Sequence, residues 1–182
     1  MKFFVIALSV SVLAGCATPA RVDQMAVGGP AGQSRPMPEA LKTNIAVRDV
    51  TGGKETNPMW VSNVSSSDFE RALETSLRNG GLLAANRQSG RYLLTAHMEK
   101  LEQPLMGFSM TVTATVRYVL HERATGKAVY EQSLSTPYTA GATDAFLGAE
   151  RLKLANEGAI RNSIGKLMEE VQRLDVTAVS LR

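Results

Sequence analysis

Between Met110 and His121 the chain alternates with a period of two, and this stretch limits its folding choices more than any other. Met110, Val112, Ala114, Val116, Tyr118 and Leu120 share one face; Thr111, Thr113, Thr115, Arg117 and His121 share the other. A strand so divided must bury its apolar face against a second layer and leave the other face wet, as in an antiparallel or mixed sheet. The neighbouring segments fit the same sheet. Tyr92, Leu94, Ala96 and Met98 alternate with Thr95, His97 and Glu99. The turn-like Ala124-Thr125-Gly126-Lys127 leads into a hairpin partner from Ala128 to Thr136, which Pro137 is expected to end. A shorter β-branched run, Ile45 to Val50, stops at Thr51-Gly52-Gly53.

Two helices complete the pattern. Ser67-Asp68-Phe69-Glu70 has the spacing of a capping box, in which serine and glutamate side chains satisfy free backbone donors. Phe69, Ala72, Leu73, Ser76 and Leu77 follow at helical spacing, with Asn79-Gly80 as a left-handed stop. From about Ala149 to Leu174 a longer helix is written by Leu152, Ala155, Ala159, Ile160, Ile164, Leu167, Met168, Val171 and Leu174. Its small residues Gly158 and Gly165 suit close approach to a sheet. The expected fold class is α+β: a single β-α-β-β-β-α domain, with an antiparallel or mixed sheet and both helices on one face. The tail from residue 175 to 182 reads as a short extension or a frayed end.

The first sixteen residues address compartment rather than fold. Lys2 precedes an apolar run from Phe3 to Leu13, interrupted only by Ser9 and Ser11. At about 11 residues it is too short for a bilayer span, which needs roughly 20, and suits a signal-peptide core. Leu13-Ala14-Gly15-Cys16 follows, and Cys16 is the only cysteine of the 182 residues. This resembles the lipobox of bacterial lipoproteins. The resemblance implies diacylglycerylation of the Cys16 thiol, cleavage before it, and further acylation of the new amino group. Two or more chains hold a protein to a membrane durably where one does not. Ala17, rather than an aspartate, follows the cysteine, which favours the outer membrane and a periplasm-facing domain. Residues 1–15 are thus expected as signal peptide, 16–43 as lipidated cysteine and flexible tether, and 44–182 as the domain. The tether reading rests on Pro19, Gly28, Gly29, Pro30, Gly32, Pro36 and Pro38.

Composition and motifs argue against most chemistry. A net charge of +3 from 20 basic and 17 acidic residues is too mild and scattered for a nucleic-acid partner, with Arg87, Arg91, Arg117 and Arg123 spread along the chain. One cysteine excludes an internal disulfide and a thiolate metal cluster. His97 and His121 are the only histidines, both on the polar side of expected strands, with no carboxylate or cysteine at ligand spacing. Gly28-Gly29 and Gly52-Gly53 lack the strand and helix context of a phosphate loop, and Ser65-Ser66-Ser67 is not a nucleophile elbow. No catalytic residue, metal or cofactor is expected. Candidate partner contacts are Met59 and Trp60 in a loop, as recognition anchors or as residues folded over the core edge. Phe108 is a third, in the apolar connection Gln103–Phe108, read as a lipid- or protein-contacting tip or as a core-covering loop.

With the lipobox and this element order, the domain resembles the LptE-like envelope-assembly lipoproteins. The likeness lies in Cys16 and in Thr111–Leu174, where a Thr/Val-alternating strand, a Thr-Gly-Lys turn and a long final helix recur. It implies a non-catalytic accessory of an envelope machine, anchored through acyl chains, with an envelope protein as partner and lipid or lipopolysaccharide as a further one. Two alternatives stay open: a lipid or glycolipid carrier using a cleft between sheet and helix, and an envelope hydrolase or transferase using His97 or His121.

Overall fold

A computed structural model describes residues 17–28, 37–59 and 61–174. The expectations for Leu13, Ala14, Gly15 and Cys16, for Trp60 and for the tail 175–182 lie outside these residues.

The four expected strands form one sheet in the order β1-β2-β3-β4: β1 (Ile45–Thr51), β2 (Tyr92–Glu102), β3 (Met110–Glu122) and β4 (Ala128–Ala140). β1 runs parallel to β2, and the other pairs are antiparallel. A parallel pair needs a crossover, and α2 (Ser66–Asn79) supplies it. The long α3 (Gly148–Gln172) returns over β3 and β4. Both helices cover one face, and the apolar residues that alternate along β3 are all buried beneath them. Phe69 of α2 meets the ring of Tyr118 edge-on, with centroids 6.5 Å apart. The Tyr118 hydroxyl and Ser163 Oγ of α3 are 2.9 Å apart, which gives that buried phenol its polar partner.

α3 lies very close to the sheet at Gly158. A Cβ built there would stand 2.2 Å from Tyr138 Cδ1 and 2.3 Å from its Cγ, so only glycine fits. Gly52, at φ +84°, is likewise obligatory, because a Cβ would meet the Met98 carbonyl oxygen at 2.2 Å. It turns the chain off the end of β1.

Three local expectations need correction. The helix cap is Ser65, not Ser67: its Oγ accepts from the Asp68 N–H at 3.1 Å and donates to the Asp68 carboxylate at 2.8 Å. The left-handed residue after α2 is Gly81, at φ +69°, whereas Gly80 stays right-handed. Pro137 does not end β4 but lies within it. β4 is an edge strand, and the Pro137 carbonyl accepts from Asn162 Nδ2 of α3 at 2.9 Å rather than from β3. Its missing N–H would point to that same outer side, so no ladder bond is lost.

The larger difference concerns the tether. Residues 17–28 pack on the domain instead of hanging free. A short helix, α1 (Val22–Met25), buries Met25 completely, and Ala20 joins the same core. Glu157 of α3 accepts the Arg21 N–H at 2.8 Å, Arg161 donates to the Gln24 carbonyl at 2.6 Å, and Ser76 accepts from Val27 N–H at 2.9 Å. A 3-10 turn, Glu39–Leu41, buries Leu41 on the approach to β1. The proline and glycine punctuation is densest from Gly28 to Pro38, and the apolar Ala20, Val22, Met25 and Val27 before it have a core to join.

Candidate functional site

Topology gathers the loops that matter at one pole. β1 and β2 run the same way, and β2 continues five residues past the Thr51–His97 pair to Glu102, toward the side where β3 begins and β4 finishes. α3 also starts on that side, and α2 starts beside the end of β1, where Ser66 Oγ accepts the Gly53 N–H at 3.0 Å. Three loops therefore converge: 52–65, 103–109 and 141–147.

Polar side chains fasten them together. Gln103 donates to the Ser62 carbonyl at 2.9 Å and to Asn156 Oδ1 at 2.8 Å, while Asn156 Nδ2 donates to the same Ser62 carbonyl at 2.9 Å. Asn156 is fully buried, so these bonds meet a real desolvation demand. Arg151, near the start of α3, ties the other two loops. Its Nη1 donates to the Ala145 and Phe146 carbonyls at 2.9 and 2.8 Å, and its Nη2 to the Gly107 carbonyl at 3.2 Å.

On this framework stand the exposed large apolar side chains. Met59 projects from the first loop, Leu105, Met106 and Phe108 from the second, and Phe146 and Leu147 from the third. Phe108 is 91% exposed and Phe146 94%. Among the described residues no other large apolar side chain is as exposed, so the whole set falls at one pole. The structure thus brings Met59 and Phe108 to a common end. It adds Phe146 and Leu147, an isolated apolar pair between β4 and α3 with no local pattern of its own.

The segment from residue 17 enters at the same pole. Ala17 N–H donates to the Pro58 carbonyl at 2.8 Å, and Ser62 Oγ donates to the Thr18 carbonyl at 2.8 Å.

The histidines do not form a site. His97 Nδ1 bonds to Thr51 Oγ1 at 2.8 Å on the open face of the sheet. His121 pairs with Leu93, four residues along β2 from His97, about 13 Å away at strand rise. Among the described residues no group of three or more His, Cys, Asp or Glu is placed to hold a metal ion. The arginines are each engaged: Arg87 with Glu70 and Glu74, Arg91 with Glu122, Arg117 with Glu131, and Arg123 with the Arg87, Ser89 and Gly90 carbonyls. Burial raises the pKa values of the core phenols, with Tyr130 pushed up to about 12, and these groups stay neutral.

A single α+β domain with a four-stranded mixed sheet, helices on one face and an apolar pole is what fold and site define. No family model matches the chain, and no curated protein matches its sequence. Solved structures share the fold. Protein XCC0632 from Xanthomonas campestris, of family model DUF330, superposes with a TM-score of 0.67 at 11% identity, covering 90% of this chain and 99% of that one. The PelC dodecamer from Paraburkholderia phytofirmans gives 0.51 at 17% identity, over 77% of this chain and 94% of its own. A point variant of PelC gives 0.50 at 18%, over 77% and 95%. At these identities the likeness is one of fold.

Proposed function

We propose that this chain is an outer-membrane lipoprotein, acylated at Cys16 and facing the periplasm, that serves as a non-catalytic binding or assembly module of a cell-envelope machine. The observation that carries the reading is Leu13-Ala14-Gly15-Cys16, closing a charged, short and apolar N-terminal run and holding the chain's only cysteine. Three others support it. The described helices include none long and apolar enough to cross a membrane, so a lipid anchor has a job to do. The sheet keeps one face uncovered by helices, rich in threonine and serine from β3 and β4, and an assembly partner or a second copy can use it. PelC, which shares the fold, was solved as a dodecamer. The tight seat of Gly158 on Tyr138 speaks against a lipid-carrying cleft between α3 and β4 at that level.

The test pairs two measurements on wild type and Cys16→Ser in intact cells: incorporation of a fatty-acid probe, and crosslinking followed by mass spectrometry. The reading expects label on wild type only, and a defined envelope protein or a homo-oligomer among its crosslinks. Unlabelled wild type removes the anchor, and monomer alone at native expression removes the assembly role.

A further inference from the structure

Resting on that anchor, we infer that the pole formed by loops 103–109 and 141–147, with Met59 beside it, inserts into the interface of the bilayer that holds the acyl chains. The domain would then sit flush on the membrane in a fixed orientation, rather than float from it on a tether.

Four observations converge on a lipid surface as the occupant. The first is position: residue 16 is one peptide bond from Ala17, and Ala17 is buried and hydrogen-bonded at this same pole. The linkage from anchor to tip is short, running from Thr18 to Ser62 and from Ser62 to Gln103, each step one hydrogen bond. An acyl group at residue 16 therefore brings these loops to the membrane without any slack chain between. The second is exclusivity. All six strongly exposed large apolar side chains among the described residues stand here, and the opposite pole, with the 123–127 turn, has none. A patch of that kind marks a surface meant to be covered.

The third is charge. Loops 103–109 and 141–147 contain one ionisable side chain, Asp144, an exposed carboxylate that accepts the Gly141 N–H at 2.7 Å. Shallow burial of the two loops is opposed by this one carboxylate alone, and it is already hydrogen-bonded to the backbone. The fourth is stiffness: the Arg151 guanidinium holds both loops through three backbone carbonyls, which keeps Phe108 and Phe146 projecting together. Aromatic and aliphatic side chains on irregular backbone suit the headgroup boundary, about 5–10 Å deep, and not the hydrocarbon centre, where loop N–H groups would go unsatisfied.

The experiment uses the full chain, expressed in a Gram-negative host, purified with its anchor and reconstituted into phosphatidylethanolamine–phosphatidylglycerol vesicles. Phe108→Cys carries an environment-sensitive fluorophore at the tip, and Thr125→Cys carries it at the opposite pole; both side chains are exposed, and Leu105→Cys, 98% exposed, serves as a second tip position. The parent, treated with the same thiol reagent, reads the anchor, because an acylated Cys16 has no free thiol. The inference expects an unlabelled parent, blue-shifted emission from both tip variants, and quenching by nitroxide-bearing lipids on the order of tenfold stronger at the tip than at Thr125→Cys. A labelled parent refutes the acylated-cysteine reading on which the inference stands. An unlabelled parent with equal quenching at both poles keeps the anchor and overturns the docking. A blue shift without lipid quenching assigns the tip to contact with a second copy, and also overturns it.

Discussion

Replacing Gly158 with alanine sets two known effects against each other. Alanine favours a helix interior over glycine by about 1 kcal/mol. Here the new Cβ meets the root of the Tyr138 ring at 2.2–2.3 Å, and the Arg161 guanidinium lies over that ring, 5.7 Å from its centroid. Relieving such a clash means rotating the tyrosine out of its rotamer or lifting the helix, and overpacking of this kind costs about 1–3 kcal/mol. The net expectation is a loss of up to about 2 kcal/mol. Gly165→Ala is the internal control. It lies on the same helix, and its Cβ would meet nothing closer than Val27 Cγ2 at 3.9 Å, so about 0.5–1 kcal/mol should be gained. Urea unfolding of a soluble form beginning at Ala17 measures both, and the two variants should differ by about 2 kcal/mol, or roughly 4–8 °C in melting temperature. In a Tyr138→Ala background the Gly158→Ala penalty should vanish. Equal stabilisation by both alanines in the wild-type background would refute the close contact between α3 and β4.

Met25→Ala should cost about 2–4 kcal/mol in the same assay, because the side chain is fully buried; a change within about 0.5 kcal/mol would mean that residues 17–28 are tether after all. Ser65→Ala should cost about 1 kcal/mol, and Ser67→Ala less, which separates the observed cap from the one the sequence suggests. Burial holds the Tyr130 phenol at about 12 in the folded chain against about 10 unfolded, so unfolded chains lose that proton first and stability should fall as pH rises from about 10 to 12. Tyr130→Phe should make that alkaline limb shallower and leave stability at pH 7 unchanged or slightly higher, since the hydroxyl is buried without a partner among the described residues.

The inner face of the sheet was legible because a period of two in β2 and β3 has a single physical meaning: every residue assigned inward there, from Tyr92 to Met98 and from Met110 to Leu120, is buried. Of the two α3 glycines expected to lie close to the sheet, Gly158 does, against Tyr138, and Gly165 does not, since a Cβ there would meet only Val27 Cγ2 at 3.9 Å. Three things were hidden for distinct reasons. Pro137 reads as a terminator unless the strand is known to be an edge, and that is a property of the whole sheet. Short apolar segments such as Ala20–Val27 carry no periodicity of their own, so only the surface that receives them, Glu157 and Arg161 included, reveals that they dock. The apolar pole joins residues up to about 90 positions apart, from Met59 to Leu147, and no local pattern connects them. Met59 stands out beside Trp60 and Phe108 within the apolar connection Gln103–Phe108, whereas Phe146 has no such local context.

The account depends most on Cys16. Intact-mass analysis of the protein extracted from membranes, with sequencing of its N-terminal peptide, tests this directly. The expected result is a chain that begins at residue 16 and carries the added mass of a diacylglyceryl group with a further acyl chain. A chain that begins elsewhere, or a Cys16 recovered with a free thiol, would contradict both the lipid anchor and the membrane-facing pole built upon it.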